Sequence, residues 1–565
     1  MDMRNVRQTE PHVWTTRRDF VLGAGAMAGW GLAGCRTIDA TRCLSKCRCA
    51  TYWCTWTAQA ATRASNIESG ELKFPGDQGI PGTRDNLNEN IVFGPKGWIH
   101  LFPEYRGDML FLLDDGWDVP YGANTGAMPL FSALVPDKVR FPSPGADASG
   151  RERLRELARR VEGKGWKGLG VWVACQAHGE NYGRPFGMEA LKEDLRRKLD
   201  DAAFAGVRYW KVDWGVHDHH VWYRRLMSEM KEQYYPELII DHCQCTSNAL
   251  NGQADARRNQ DGLPKYIGRT GRIFGVPEYE PITRAYEEIM TFADVFRTYD
   301  SAHPLTTATM LERAAWELHA ADKSSSRVVV NTEDEPLIAA GLGVELSMMR
   351  SPHVSKAKVS RVRPRHLRMA EDMRCVVWQR VAPPFGSDTP AKTRHSEKSI
   401  REEWNFVPGE SWFTRGTEAS YFQVAPACVT RGLALPEVMG TDGEAPYVVG
   451  SRNPNGALTF AAMPLLDPVK MSYTPKADVR FDAALEPGAP VGVFGRFGTL
   501  VLDDRTGGRR IFARDILGGK SVDITAKCVR AAGRVVLPGD VLAEIGASKN
   551  PSGDDSEPGA LVKVG

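Results

Sequence analysis

The stretch VRYWKVDWG, residues 207–215, decides the interpretation of the fold. An apolar, aromatic run that ends in a carboxylate and then a glycine is typical of a buried parallel strand that leads into a loop. In a (β/α)8 barrel, catalytic groups lie where the strands emerge at their carboxyl ends. Asp213 is therefore the first candidate for chemistry. An aspartate that caps or salt-bridges a strand end is the alternative, and this stretch alone leaves both interpretations open.

Strand-like and helix-like segments alternate on both sides of this stretch. Helical periodicity recurs at residues 151–162, 188–205 and 219–234, with short apolar runs between these segments. Repeated strand, helix, strand is typical of an α/β barrel. We therefore predict a (β/α)8 TIM barrel over residues 51–386. Its other predicted strands are 51–57, 108–115, 168–174, 238–241, 294–299, 327–331 and a weak eighth at 375–378.

The pattern changes after about residue 387. Short apolar runs are separated there by Gly, Pro and Asp turns, and no convincing helical period interrupts them. This pattern indicates an all-β sandwich over residues 387–546. The polar residues 547–565 are predicted to be a flexible tail.

The N-terminus has the features of an export signal. Thr16-Arg17-Arg18-Asp19-Phe20-Val21 is a twin-arginine motif, and a Gly-rich apolar run too short to span a bilayer follows it. We predict a signal peptide at residues 1–34 and a tether at 35–50. Leu32-Ala33-Gly34-Cys35 resembles a bacterial lipobox, which makes Cys35 a candidate for lipidation, with ordinary signal peptidase cleavage as the alternative. The expected location is the periplasm, or the membrane or cell surface as an anchored lipoprotein.

Composition restricts the class of ligand. The 565 residues are 42% hydrophobic and 25% charged, and the formal net charge is +2 with the two signs interspersed. Such a chain is globular and has no electrostatic footprint for nucleic acid. An uncharged substrate is the easier expectation. The spacing of Cys43, Cys47, Cys49 and Cys54 matches no common zinc pattern, so we predict no metal and no cofactor.

The predicted strand ends place many polar groups on one rim of the barrel. The pairs Asp114 and Asp115, Lys211 and Asp213, and Arg297 and Asp300 follow three strands, and Glu335 follows a fourth. Such a rim suits a polyhydroxylated ligand. Trp117 and Trp172 are candidates for stacking on a sugar, with core packing as the alternative. Gln176 is a candidate substrate contact, with a structural hydrogen bond as the equal alternative.

Three motifs together resemble a known group of enzymes. LLDDGW (residues 112–117), YWKVDWG (209–215) and FRTYD (296–300) are similar to the signature strands of clan D glycoside hydrolases, families 27 and 36, which include α-galactosidases and raffinose synthases. The resemblance implies a divergent, exported bacterial member that hydrolyses α-galactosides or related sugars with retention. It implies Asp213 as nucleophile and Asp300 as acid/base. Asp114, Asp115, Lys211 and Arg297 would then contact the sugar of an oligosaccharide or polysaccharide.

Other interpretations stay open. Asp294 and Glu335 are rival acids, although Asp294 should lie at the wrong end of its strand. A metal-assisted hydrolase would use the histidines 217, 219 and 242 with Asp241. A third interpretation is a membrane-tethered glycan-binding protein without catalysis, and the presence of both candidate carboxylates counts against it.

Overall fold

Eight parallel strands close into a barrel, which confirms the predicted fold class. The structure is a computed structural model, and it describes residues 50–59, 79–123, 128–145, 147–218, 220–243, 280–297, 307–323, 328–350, 368–406, 419–439, 445–467 and 472–565. Each barrel strand pairs with its neighbours along the chain, and the first also pairs with the eighth. The strands are β1 (Tyr52–Cys54), β2 (Leu110–Leu113), β3 (Leu169–Val173), β4 (Tyr209–Val212), β5 (Ile239–His242), β6 (Val295–Arg297), β7 (Val329–Glu333) and β8 (Glu345–Met348).

Helices cover the outside of the barrel. In the helix over residues 150–162, Ser149 and Glu152 form a reciprocal capping box, and Leu154, Leu157 and Val161 are buried at helical spacing. None of the described helices is both long and apolar enough to cross a bilayer. The helices are α1 (Gly79–Asp85), α2 (Glu89–Phe93), α3 (Gly150–Glu162), α4 (Met188–Ala205), α5 (Val221–Tyr234), α6 (Glu280–Ile289), α7 (Thr307–Lys323), α8 (Pro336–Leu342), α9 (Met369–Val381) and α10 (Gly539–Gly546).

The predicted eighth strand at residues 375–378 is wrong. This segment lies within α9, where Cys375, Val376 and Trp378 are all buried. An apolar run buried on several sides has no clear period and can be mistaken for a strand. The true eighth strand, β8, contains Glu345 and Ser347 on the face that lines the barrel, so it lacks the continuous apolar run that predicts a parallel strand.

The C-terminal part is a β domain with two main sheets. Eight strands form one sheet in the order β22-β21-β25-β19-β15-β14-β12-β9, and five form another in the order β13-β18-β20-β24-β23. The sheets pack face to face, with Phe460 and Phe481 rings 4.3 Å apart. The strands are β9 (Thr393–His395), β10 (Ser399–Phe406), β11 (Ala419–Pro426), β12 (Cys428–Arg431), β13 (Glu437–Met439), β14 (Tyr447–Arg452), β15 (Leu458–Met463), β16 (Leu466–Asp467), β17 (Ser472–Tyr473), β18 (Asp478–Leu485), β19 (Val491–Gly495), β20 (Thr499–Asp504), β21 (Ile511–Asp515), β22 (Gly518–Asp523), β23 (Val529–Ala531), β24 (Arg534–Pro538) and β25 (Gly559–Val564).

The prediction of a flexible tail at residues 547–565 is also wrong. Strand β25 lies between β19 and β21 in the large sheet and pairs with both. Its first four residues are buried. The end of the sequence is therefore an interior part of the β domain, because two partner strands satisfy its backbone.

The barrel and the β domain are joined through α9. Arg374 donates two hydrogen bonds to the carboxylate of Asp515, at 3.1 and 2.8 Å. The indole nitrogen of Trp378 donates to the hydroxyl of Thr459 at 2.9 Å. All four side chains are buried, so these contacts hold the large sheet against the barrel.

The side chains inside the barrel are mainly apolar at one end and charged at the other. Near the amino ends of the strands, Tyr52, Leu110 and Tyr209 belong to one apolar cluster. Towards the carboxyl ends, Lys211 lies beside Asp241 in the strand register, and Arg297 lies beside Asn331. Charges replace apolar side chains at this end, where barrel enzymes place their active sites.

Candidate active site

Asp213 directly follows β4 at the carboxyl end of the barrel. Its backbone N–H donates to the carbonyl of Val173 at 3.2 Å, which holds its main chain against the end of β3. The indole Nε1–H of Trp172 donates to Oδ2 of Asp213 at 3.1 Å. The side chain of Asp213 is therefore oriented by the neighbouring strand, as a group that must react in one direction would be.

The loop after Asp213 is packed tightly on the loop after β3. The backbone N–H of Cys175 donates to the carbonyl of Trp214, and that of His217 donates to the carbonyl of Cys175, both at 2.9 Å. A Cβ at Gly215 would come within 2.7 Å of the Cys175 backbone, so only glycine fits this crossing. The side-chain oxygen of Gln176 accepts from the Val216 N–H at 3.3 Å. Gln176, a predicted substrate contact, thus makes the structural hydrogen bond that was the alternative.

Arg224 on α5 stabilises the ends of two barrel strands. Its guanidinium donates to the carbonyls of Val212 and Asp213, both at 3.2 Å, and to that of Cys243 at 2.8 Å. The side chain is fully buried. This role of Arg224 cannot be predicted from the sequence, because an arginine in an amphipathic helix gives no sign that its partners are backbone carbonyls of the preceding and following strands.

A chain of alternating charges crosses the barrel next to Asp213. Lys211 Nζ lies 2.7 Å from Oδ2 of Asp114 and 3.8 Å from Oε1 of Glu333. Glu333 in turn forms an ion pair with Arg297. Burial opposes charge on both Asp114 and Lys211, yet their attraction outweighs it, so the pKa of Asp114 is lowered and that of Lys211 is raised. The structure therefore brings three of the predicted sugar-binding residues together in ionised form.

A cysteine completes the surroundings of Asp114. The thiol of Cys54, on β1, donates to the same Oδ2 atom at 3.0 Å. Burial raises the pKa of Cys54, and the neighbouring Asp114 raises it further. The thiol is thus a proton donor that helps fix the carboxylate, and it has the wrong protonation state for a nucleophile.

Asp115 is engaged by a residue that the sequence analysis did not single out. Arg84, in α1, donates to both carboxylate oxygens of Asp115, each at 2.7 Å. The guanidinium carbon of Arg84 also lies 4.5 Å from the centre of the Phe131 ring. Burial nevertheless raises the pKa of Asp115, because it outweighs the attraction of Arg84. Both oxygens of Asp115 thus accept hydrogen bonds from one arginine, whereas those of Asp114 accept from Lys211, from Cys54 and from the backbone N–H of Asp115.

The two predicted stacking tryptophans lie in the protein interior. Trp117 is fully buried in the main core, and its Nε1–H donates to the carbonyl of Trp172 at 2.9 Å. Trp172 is also fully buried, and its ring centre lies 5.2 Å from that of Trp214. In this conformation neither ring offers a face to a sugar. Trp172 acts on the site through its contact with Asp213.

Asp241 lies on β5, next to Lys211 of β4 in the strand register. Its Oδ2 accepts from the hydroxyl of Tyr209 at 2.8 Å. Burial raises the pKa of Asp241 against the opposing effect of Arg297, and the charge of Asp213 raises it further. The pKa values of Asp115 and Asp241 are thus raised, whereas that of Asp114 is lowered.

The structure describes two of the three candidate acid residues. Asp300 lies outside the described residues. Asp294 precedes β6, at the opposite end of the barrel, and its carboxylate accepts from Lys231 and from the backbone of Ile240. Glu335 precedes α8, and it lies near Asp372 on α9, whose pKa is raised mainly by burial, against the attraction of Arg350, and further by neighbouring carboxylates that include Glu335. Asp294 is therefore held away from Asp213, and Glu335 lies towards the junction of the two domains.

The residues of the metal-hydrolase interpretation do not converge. Nε2 of His217 faces the carboxylate of Glu180, while Nε2 of His242 contacts the hydroxyl of Ser228 on α5. His242 and Asp241 are adjacent on one strand, so their side chains point to opposite sides of the barrel wall. Among the residues that the structure describes, no three metal-binding side chains form a group. The third histidine, residue 219, lies outside those residues, as does Cys35.

Comparisons with known proteins give structural likeness only. No family model matches the chain, and no curated protein matches its sequence. One similar solved structure is a candidate α-galactosidase from Bacteroides fragilis, which is 9% identical in sequence and gives a TM-score of 0.37. The match covers 92% of this chain and 80% of that chain. A GH27 β-L-arabinopyranosidase from Geobacillus stearothermophilus has 9% identity, 85% and 93% coverage and the same TM-score. A variant of that enzyme, in complex with arabinose, has 10% identity, 94% and 100% coverage and again a TM-score of 0.37. The fold of this chain is established by its own strand pairings.

Proposed function

We propose that this protein is a retaining glycoside hydrolase acting on α-galactosides or related α-linked sugars. The observation that carries the proposal is the setting of Asp213, whose carboxylate is oriented by Trp172 at the carboxyl end of β4. Lys211, two residues before Asp213 on the same strand face, forms an ion pair with Asp114, which follows β2. In the proposed mechanism, Asp213 is the nucleophile, and the neighbouring charged groups donate to and accept from sugar hydroxyls.

The proposed reaction is a double displacement. Asp213 attacks the anomeric carbon while a carboxylic acid protonates the departing oxygen, and water then releases the sugar from Asp213. The resemblance of FRTYD to the family motif makes Asp300 the proposed acid/base. Two carboxyls in these roles are expected to lie about 5 to 5.5 Å apart. Arg224 would hold the backbone of Asp213 in place through both steps, since it binds the carbonyl of that residue.

Hydrolysis of a panel of nitrophenyl α- and β-glycosides by the full chain tests the proposal. Asp213→Ala is expected to abolish turnover, and added azide is expected to restore it, because a small anion can take the place of the missing carboxylate. Azide should then give the glycosyl azide of inverted configuration. Asp200→Asn is the matched control, since Asp200 forms a surface ion pair on α4.

Two results would contradict the proposal. One is turnover that survives Asp213→Ala. The other is a first product with inverted configuration from the unmodified protein, because a retaining mechanism inverts twice. Chelator-sensitive hydrolysis of esters or amides that persists in Asp213→Ala would favour the metal-dependent alternative instead.

We also propose export by the twin-arginine route, with lipidation at Cys35. The support is the order of the twin-arginine motif, the short apolar run and the Leu-Ala-Gly-Cys segment. Replacing Arg17 and Arg18 by lysine should leave the protein in the cytoplasm. Cys35→Ala should release it from the membrane fraction, and membrane association that persists in Cys35→Ala would contradict lipidation at this residue.

A further inference from the structure

Exposed apolar side chains are concentrated on one part of the barrel rim. Most of the large exposed ones in the described barrel lie on the loops after β2 and β3 or at the starts of α4 and α5. These loops follow the same strands that carry Asp114, Trp172 and Asp213. Exposed apolar groups gathered at one place indicate a binding surface more often than chance exposure. The side chains are Tyr121, Leu130, Val139, Tyr182, Phe186, Met188 and Trp222.

Four of them are aromatic, and three of these four follow β3 or β4 along the chain. We call Tyr182, Phe186 and Trp222 the rim aromatics; they are 66%, 37% and 43% exposed. The hydroxyl of Tyr182 donates to the carbonyl of Gly215 at 3.4 Å, two residues from Asp213. The ring of Trp222 is stacked on His220, with ring centres 5.7 Å apart and planes 24° apart. The side chains of Tyr182 and Trp222 are therefore held by neighbouring groups although they face solvent.

A buried polar pair fixes the base of this surface. Both carboxylate oxygens of Glu180 lie 3.1 Å from Nε2 of His217. The same carboxylate accepts from the backbone N–H of Phe186 at 2.7 Å and that of Ala177 at 2.8 Å. Burial would raise the pKa of Glu180, but these donors outweigh it and lower the pKa. Glu180 is thus an anion that ties the loop after β3 to the loop after β4.

His217 connects Glu180 to His220 and Trp222 at the rim. Its Nδ1 lies 3.0 Å from Nδ1 of His220, and its ring centre lies 5.2 Å from that of Trp222. The proposed chemistry uses neither Glu180 nor His217. Glu180 and His217 are only 0% and 3% exposed, and burying such polar groups costs free energy. Their burial in a loop region therefore indicates that a fixed arrangement is needed there.

We infer that the rim aromatics form an outer sugar-binding surface for an oligosaccharide or polysaccharide chain, beyond the bond that is cleaved. This inference rests on the proposed function. The surface is joined to the candidate site through the residues after Asp213, because Tyr182 contacts Gly215 and His217 contacts Glu180. Exposed flat rings fit the C–H faces of successive sugars, whereas a protein partner requires a continuous apolar core.

Binding of soluble galactomannan to the full chain tests the inference. The measurement is retardation in native gels that contain the polymer, in an Asp213→Asn background so that the polymer is not cleaved. Trp222→Ala and Tyr182→Ala are each expected to weaken binding about tenfold, which corresponds to about 1.4 kcal/mol. Tyr234→Ala is the matched control, because Tyr234 lies at the far end of α5 and is 36% exposed.

The kinetic prediction follows from the same surface. In the Asp213-intact protein, Trp222→Ala should raise KM for galactose-bearing oligosaccharides of three or more sugars more than for the nitrophenyl glycoside. Equal retardation of Trp222→Ala, Tyr182→Ala and Tyr234→Ala overturns the inference, as does a wild-type protein that galactomannan does not retard. If Asp213→Asn no longer cleaves the polymer but Trp222→Ala is retarded as strongly as the unsubstituted protein, only the inference of an outer sugar-binding surface is overturned. If Asp213→Asn still cleaves the polymer, the proposed function is overturned.

Discussion

Replacing Trp172 by phenylalanine removes one hydrogen bond donor from Asp213 and changes little else in the polar surroundings of that carboxylate. The donor lies 3.1 Å from Oδ2, longer than the 2.7 to 2.9 Å typical of strong N–H donors to carboxylates. A hydrogen bond to a charged group contributes about 1.5 to 3 kcal/mol, and the long distance places this one in the lower half of that range. If the bond orients Asp213 for attack, kcat/KM should fall by about 10- to 30-fold.

Trp117→Phe is the matched control for this experiment. Trp117 is also fully buried and also donates one hydrogen bond, but to the backbone carbonyl of Trp172 instead of to Asp213. Both variants should lose a similar amount of thermal stability, about 1 to 3 kcal/mol, from the lost ring volume and hydrogen bond. Only Trp172→Phe should lose kcat/KM on the best nitrophenyl glycoside. Equal kinetic losses in the two variants would refute the orienting role and reduce Trp172 to a packing residue.

Three further changes give separate expectations. Arg224→Gln should lower kcat about 10- to 100-fold with little change in KM, because the Asp213 backbone loses its donor, and Arg224→Lys should recover part of the loss. Burial raises the pKa of Asp118 to about 7. Between about pH 4 and pH 7 the folded protein therefore holds a proton that the unfolded chain has released, so the free energy of unfolding falls as the pH rises through this range. In urea unfolding, the free energy of unfolding of Asp118→Asn should rise relative to that of wild type by up to about 3 kcal/mol between pH 5 and 7. Above pH 7 this difference should stay constant. Arg374→Met should cost about 3 to 5 kcal/mol, since it leaves the Asp515 carboxylate buried without its main partner.

Each of these expectations has a result that contradicts it. For Arg224, it is a large rise in KM with kcat intact, or no recovery with lysine. For Asp118, it is a stability difference that does not depend on pH; Asp147→Asn, at an exposed position, controls for the loss of a surface charge. For Arg374, it is an unfolding free energy within about 1 kcal/mol of wild type, which would mean that the β domain contributes little to the stability of the barrel.

Strand ends were easier to predict than the partners of the side chains they carry. The run into Asp213 was recognisable because a buried parallel strand is apolar throughout, and the same feature located Asp114. Strand β8 was missed for the opposite reason, since Glu345 and Ser347 interrupt its apolar run where they face the barrel interior. Asp300 stays a prediction, because it lies outside the described residues.

Side-chain roles required the three-dimensional arrangement. Trp117 and Trp172 each stand at or just beyond a predicted strand, and no local pattern shows that one donates to a backbone carbonyl and the other to Asp213. Arg84 reaches Asp115 across 31 positions of sequence, and Arg224 binds carbonyls whose positions depend on the closed barrel. Such long-range contacts leave no periodicity or spacing in the chain.

The charged half of the barrel interior sets a limit on how far this protein can be made more thermostable. Buried ion pairs such as that of Lys211 and Asp114 are often no more stabilising than well-packed apolar residues of the same volume. Selection for heat resistance alone would therefore tend to replace these charges with leucine or methionine. We expect stabilising substitutions at this end of the barrel to reduce turnover, and those at the apolar amino end around Leu110 to leave it intact.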